Sequence, residues 1–288
     1  EKNMGGIYIK NKWLPYLLIL PTVVLICIFK IYPIIDSVIQ GFLGAEGGFT
    51  FNNYKVLFAD KTFWDSLIVT IKFNVIIIPL QIVIAFIMAM LVNVKVKGIE
   101  IFRTIFYLPF CISLTVATVI WEMMLNVNNG VMNSLLGILG IQKIGFLIDA
   151  KWALLSIILI ASWRGCAYWM MFFLAGLKGI DTSVYESAKI DGSGFFSTLF
   201  RITIPLLKNT IIFVVIANTT ANFLLFAPIQ IATEGGPQGS TNVLMYEAYK
   251  SAFVYSNRPR QACIVTILLV IIILVCFIQN RCLKEKEA

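Results

Sequence analysis

The sequence predicts an all-α membrane protein with six transmembrane helices, and three observations carry that reading. Of the 288 residues, 59% are hydrophobic and only 13% are charged, against about 25% charged in an ordinary soluble domain. The mean hydropathy is +0.87. The apolar residues also fall in six long blocks, 13–29, 67–92, 105–120, 152–177, 211–226 and 262–278. Roughly 20 residues of helix cross a bilayer core, and the shorter blocks reach that length once their mildly polar flanks are added. In hydrocarbon the backbone has no water to bond, so each block satisfies its own N–H and C=O groups as a helix.

Lys10 and Lys12 precede the first span, which opens at Trp13 and carries Pro15, Pro21 and Pro33, tolerable in membrane helices. It is too long for a signal-peptide core and has no small-residue cleavage site, so it reads as a retained span. A loop with Gly41, Gly44, Gly47 and Gly48 leads into the turn-rich Phe51-Asn52-Asn53-Tyr54. The second span contains Pro79, where a kink is expected. A short basic loop, Lys95-Val96-Lys97-Gly98, turns into the third span, which opens Tyr107-Leu108-Pro109-Phe110. Asn126, Asn128, Asn129 and Gly130 mark the turn that follows it. After the fourth span comes the long polar loop 178–208, which reads as helical segments around Asp191-Gly192. Thr233-Glu234-Gly235-Gly236-Pro237-Gln238-Gly239 is the turn between spans five and six. There is no internal repeat and no soluble insertion, so 1–288 reads as one membrane domain with the loop 178–208 inside it.

The net charge of +8 is a matter of topology and points to no nucleic acid. With the N-terminus inside, Lys2, Lys10, Lys12, Lys95, Lys97, Arg103, Lys178, Lys189, Arg201, Lys208, Arg281, Lys284 and Lys286 all fall on cytoplasmic segments. The longer outer segments hold fewer cations, as the positive-inside rule requires. Both termini are therefore placed in the cytoplasm. The six cysteines, Cys27, Cys111, Cys166, Cys263, Cys276 and Cys282, lie in or beside spans with no CxxC pair, and the chain has no histidine. They read as small apolar residues, and no metal site is expected.

Polar groups in mid-membrane are costly and tend to face a cavity. Span five offers Asn218, Thr219, Thr220 and Asn222, the two asparagines sharing a helix face at a spacing of four. Span four offers Trp163, Arg164, Gly165, Tyr168 and Trp169. Hydroxyls, amides and aromatic faces are what a sugar ring requires. Arg164, a mid-span charge, calls for a carboxylate, a helix end or an anionic solute, and Glu122 is one candidate partner.

The loop 178–208 carries Tyr185-Glu186-Ser187-Ala188-Lys189-Ile190-Asp191-Gly192 and, nine residues later, Ile202-Thr203-Ile204-Pro205. Small residues at Ser187 and Ala188 permit close packing of a short helix, Asp191-Gly192 a sharp turn, and Glu186 an ion pair with a partner. This pattern resembles the EAA loop of ABC importer permeases, with Ser187 and Ile204 as mild departures. Trp13-Leu14-Pro15-Tyr16, Leu20-Pro21, Ile31-Tyr32-Pro33, Asn53-Tyr54, Leu108-Pro109 and Thr233-x-Gly235-Gly236-Pro237 resemble the carbohydrate branch, the first permease of maltose and glycerol-3-phosphate importers. The resemblance implies a bacterial inner-membrane subunit forming half of a translocation path for a sugar or oligosaccharide. It implies a second homologous permease, two cytoplasmic ATPases and an extracytoplasmic solute-binding protein. Glu186, Ser187, Ala188, Asp191 and Gly192 would then couple to the ATPase. No Gly-x4-Gly-Lys-Ser/Thr motif is present, so ATP and Mg belong to the partner ATPase and this chain carries no cofactor.

The same resemblance assigns the solute to the segment matching Trp163-x-Gly165-x-x-Tyr168, to the polar stripe of Asn218 and Asn222, and to the residues after Leu108-Pro109. With Arg164, the candidate contacts are Phe110, Leu114, Arg164, Gly165, Tyr168, Asn218 and Asn222. Glycerol 3-phosphate or another anionic or polyol solute is the alternative substrate. An ion-coupled secondary transporter would need mid-span acids or histidines, which the blocks lack.

Overall fold

Residues 14–44, 47–94 and 96–284 are described by the computed structural model. Trp13, Lys2, Lys10, Lys12, Lys95 and Lys286, which enter the sequence argument for the first span and for topology, lie outside them. The long apolar runs become long helices, and among the described residues the only β pairing is the bridge Leu43–Phe49. Helix α1 (Leu14–Ile26) passes through a wider π-type turn into α2 (Tyr32–Phe42), giving the first span. The short α3 (Asn52–Ala59) precedes α4 (Lys61–Val92), the second span. Asp60 caps α4 by accepting from the Thr62 N–H at 2.8 Å. The chain stays helical through Pro79.

The third span is not the single helix that its apolar block predicts. It is α5 (Ile99–Cys111) and α6 (Leu114–Met124), bent by 95° at the break. Pro109 stands in the last turn of α5, and Ser113 starts a new helix by accepting from the Val116 N–H at 3.2 Å. A cap inside an apolar run therefore outweighs continuity. Phe106 and Tyr107 of α5 pack on the cluster of Ala89, Val92, Phe173 and Leu177. Trp121 of α6 packs with Phe73, Ile157 and Ile229. These clusters lie at opposite ends of the bundle, so α5 and α6 together cross it.

After α7 (Val131–Ile138), α8 (Ala150–Lys178) forms the fourth span and packs most extensively of all along α4. The polar loop folds as α9 (Thr182–Ile190), then α10 (Phe195–Thr198) running through a π-type turn into α11 (Ile204–Leu206). Span five is α12 (Lys208–Phe223) continued by α13 (Ala227–Ala232). Then α14 (Leu244–Tyr249) leads to α15 (Arg258–Lys284), the sixth span. Five unbroken spans and one broken one make the six that the sequence predicts. The hydrophobic window of the first span has none of its residues buried by the rest of the chain, whereas 61% of that of α8 is buried. The core is thus α4, α8 and α12, with α5 and α6 against one side and α15 against the other.

Candidate functional site

Two apolar clusters fill the ends of this core, and the cavity lies between them. Ile77 and Ala161 belong to one cluster, Ala85 and Trp169 to the other, and Gln81, Gly165 and Arg164 occupy the level between. Arg164 is the midpoint of α8. The cavity has a volume of about 590 Å³ and is lined by residues that include Gln81, Phe110, Leu114, Arg164, Gly165, Tyr168, Trp169, Thr220, Asn222 and Leu225. Six of the seven sequence-derived candidates, Phe110, Leu114, Arg164, Gly165, Tyr168 and Asn222, therefore line this one cavity. Asn218 stands behind it, fully buried.

The aromatic side is ordered. The Phe110 and Tyr168 rings stack at 4.6 Å with an interplanar angle of 21°, and Trp169 meets Tyr168 edge-on at 4.7 Å. Such faces suit the C–H surface of a sugar ring, and the hydroxyl edge of Tyr168 suits its rim. The Arg164 guanidinium carbon lies 4.6 Å from the Phe110 ring centroid, a cation–π contact. Its Nε donates to the Ile112 carbonyl at 2.9 Å. That carbonyl is freed by the break between α5 and α6, so the partner of Arg164 is a helix end. Glu122 is not that partner. It lines a separate pocket with Leu125, Asn126 and Leu147, and among the described residues no ion pair joins it to Arg164.

The polar side is a chain of carboxamides that links α4 to α12 and abuts α8. The Asn222 Nδ2 donates to Gln81 Oε1 at 3.0 Å and to the Asn218 carbonyl at 3.0 Å, and it also contacts Asn218 Oδ1. A Cβ on Gly165 would lie 2.6 Å from Gln81 Nε2, so a larger residue there would push this amide aside. Gln81 escaped the sequence reading because it lies in an apolar run with no polar neighbour at helical spacing toward the cavity. Its one signal is that it is a carboxamide in the middle of a span. Thr219 plays a different part. It accepts from Gln279 Nε2 at 2.8 Å and so ties span five to span six.

At one end of the bundle, α9 presents a second candidate surface. Asp181 caps it by accepting from the Ser183 N–H at 3.0 Å, and the bonds it accepts hold its carboxyl below the usual carboxylate range. Glu186, Ser187 and Ile190 face outward, Ile190 with 85% of its surface exposed. Ala188 is turned inward and buried by its own chain, which corrects the expectation that both small residues face a partner. Asp191 is the C-cap, and Gly192 takes φ +73°, a left-handed turn that sends the chain back toward the bundle.

The opposite end is locked by charge. Arg260 Nη1 meets Glu247 Oε1 and Nη2 meets Asp60 Oδ2, both at 2.6 Å, while Lys250 Nζ lies 2.9 Å from Glu247 Oε2. Asn242 Nδ2 bonds both Glu247 Oε2 and Ser66 Oγ at 2.8 Å. Burial raises the Glu247 carboxyl, but the bonds from Asn242, Lys250 and Arg260 outweigh it and hold the group below its ordinary value. Asp60 behaves likewise: burial raises it, and Arg260 and the Thr62 N–H bring it lower. Among the described residues no group of three or more His, Cys, Asp or Glu could hold a metal ion.

Three comparisons bear on this arrangement. The family profile described as "binding-protein-dependent transport system inner membrane component" matches residues 81–283. A lactose transport system permease protein, LacF, of Rhizobium radiobacter is 34% identical, covering 100% of this chain and 98% of its own. A sn-glycerol-3-phosphate transport system permease protein, UgpA, of Agrobacterium fabrum is 31% identical over 98% of this chain and 99% of its own. Among solved structures, a chain of a bacterial ABC transporter that imports the acidic polysaccharide alginate superposes with a TM-score of 0.87. It is 22% identical and the match covers 97% of this chain and 98% of that one, a likeness that speaks for the fold alone. The alginate transporter has also been solved with its alginate pentasaccharide-bound periplasmic protein, with a TM-score of 0.86 and 21% identity over 96% of each chain.

Proposed function

Because this chain belongs to the family of binding-protein-dependent transport system inner membrane components, we propose that its central cavity is one half of the path for a neutral saccharide. The family makes it a membrane-embedded permease subunit of an ABC importer, which moves a solute and performs no covalent chemistry. The choice of solute rests on one observation: the stacked pair Phe110–Tyr168 and the bonded carboxamides Gln81 and Asn222 line the same cavity. A sugar has an apolar face and a hydroxyl rim, and this lining answers both. Arg164 already serves the Ile112 carbonyl and the Phe110 ring, which leaves it poorly placed as a dedicated counter-ion.

One observation favours a second reading. Among the described residues only Nε of Arg164 is hydrogen-bonded to protein, and the residue lines the cavity, so its remaining N–H groups could meet a phosphate or uronate. The names of the relatives span both classes, lactose on one side and glycerol 3-phosphate on the other.

The rest of the assembly follows from this reading. A second, homologous permease completes the cavity and covers part of the first span. Two cytoplasmic ATPases engage Glu186, Ser187, Ile190 and the Asp191-Gly192 turn. A solute-binding protein docks at the opposite end, on 41–65 and 234–260. Both termini and α9 are then cytoplasmic, which agrees with the distribution of Lys and Arg. ATP and Mg are bound by the partner ATPase. Uptake by the four-subunit complex in proteoliposomes, with its binding protein added, tests the proposal using lactose, maltotriose, trigalacturonate and glycerol 3-phosphate. Uptake of a neutral sugar that Tyr168→Ala weakens is the expected result. Uptake of only the two anions would overturn the neutral assignment in favour of the second reading.

A further inference from the structure

Gln81 is 2% exposed, lies in mid-membrane and lines the cavity, yet only one end of its carboxamide is paired by protein. Its Oε1 accepts from Asn222 at 3.0 Å. Its Nε2 has no protein acceptor among the described residues and rests on the bare backbone of Gly165, 2.6 Å from where a Cβ would stand. A glutamine that merely bridged helices would use both ends, because an unpaired donor in this setting costs free energy. The neighbouring Asn218 and Asn222 fix the orientation. Asn222 commits its donor to Gln81 and Asn218, which assigns Oε1 of Gln81 to Asn222 and leaves Nε2 beside Gly165. Gly165 lines the same cavity.

We propose that Gln81 Nε2 is a solute-reading donor that hydrogen-bonds a hydroxyl oxygen of the transported sugar, with Asn222 and Gly165 as positioning residues. This rests on the assignment of the cavity to the solute. The aromatic pair binds the ring face while Gln81 selects a hydroxyl, so orientation as well as affinity depends on it. The glycine in Trp163-x-Gly165-x-x-Tyr168 acquires a reason: any side chain there displaces the reading amide.

The test is uptake of lactose and of maltotriose by the reconstituted complex carrying Gln81→Met, Gly165→Ala, both together, or Tyr168→Ala. Removing one neutral hydrogen bond corresponds to about a three- to tenfold change. Gln81→Met is expected to raise KM by that factor for the transported sugar, with Vmax within about twofold and a Tm lowered only by the lost Asn222–Gln81 bond. Gly165→Ala, which keeps Gln81 but pushes its amide aside, is expected to match it, and the double variant to be no worse than either. If Gln81→Met fails to assemble, Gly165→Ala alone decides the matter. An unaltered KM in that variant, with KM raised by Tyr168→Ala, overturns the role of Gln81 and leaves the cavity assignment standing. An unaltered KM in Tyr168→Ala as well overturns the cavity assignment.

Discussion

At the scale of single residues, Arg164 carries more than its charge. It donates to Ile112 O across a sequence separation of 52 and lies against the Phe110 ring, so it holds the broken third span against the cavity. Arg164→Leu would remove that charge-assisted bond, worth about 1.5–3 kcal/mol. The expected outcome is a lower Tm of the purified complex and reduced uptake of neutral and anionic solutes alike. A loss confined to trigalacturonate and glycerol 3-phosphate would instead make Arg164 a counter-ion. Phe110→Ala removes one face of the stacked pair, about 0.5–1.5 kcal/mol beyond area, and should raise KM for a neutral sugar severalfold in the same uptake assay. The sequence makes Arg164 conspicuous as a charge inside an apolar block. A helix end was among the partners it called for, but the particular carbonyl was not legible, because it becomes available only where a helix breaks.

At the scale of elements, the same cause explains what sequence reading missed. Hydropathy sees 105–120 as one span because Ser113 is a small interruption among apolar residues. In the fold Ser113 is a helix cap and the span turns by 95°. The loop 178–208 was more legible, since the Asp191-Gly192 turn and the flanking helices have local signatures. Which of Ser187 and Ala188 faces outward depends on how α9 lies against the bundle, and only the structure gives that. The coupling role assigned to α9 yields a sharp expectation. Glu186→Ala removes an exposed charge, and Gly192→Val places a β-branched residue at φ +73°, a conformation that costs an L-residue about 1–2 kcal/mol. The double variant should hydrolyse ATP without importing solute. Transport at wild-type stoichiometry, measured as solute taken up per ATP hydrolysed, would show that α9 does not carry the coupling.

At the scale of the whole molecule, packing is concentrated on one side. The α4–α8–α12 core buries its own residues and the first span buries none of its hydrophobic window, as befits half of a larger assembly. Sequence alone conveyed the number of spans and the level of the cavity, since mid-span polar residues mark that level. It could not convey the charge lock at the far end, where the cap of α4 (Asp60), Glu247 of α14 and Arg260 in the first turn of α15 come together. Arg260→Met leaves two carboxylates without their shared cation, Glu247 keeping Lys250 and Asp60 being partly exposed, so the cost falls below the roughly 3–5 kcal/mol of an uncompensated buried charge. Both carboxyls are held below their ordinary values. Their contribution is therefore complete above the unfolded values, roughly pH 4–4.5, and is lost as pH falls through the lower folded ones. The Tm of the complex in nanodiscs should lose this contribution only below about pH 4, and Arg260→Met should shrink that acid-sensitive part to what Asn242, Lys250 and the Thr62 N–H still supply. The central claim, an importer permease driven by a remote ATPase, is tested most directly by ATP hydrolysis in the reconstituted complex with and without the sugar-loaded binding protein. Several-fold stimulation by the loaded protein, accompanied by accumulation of sugar in the vesicles, is the predicted result. Hydrolysis indifferent to binding protein and solute, with no accumulation of sugar, would contradict it.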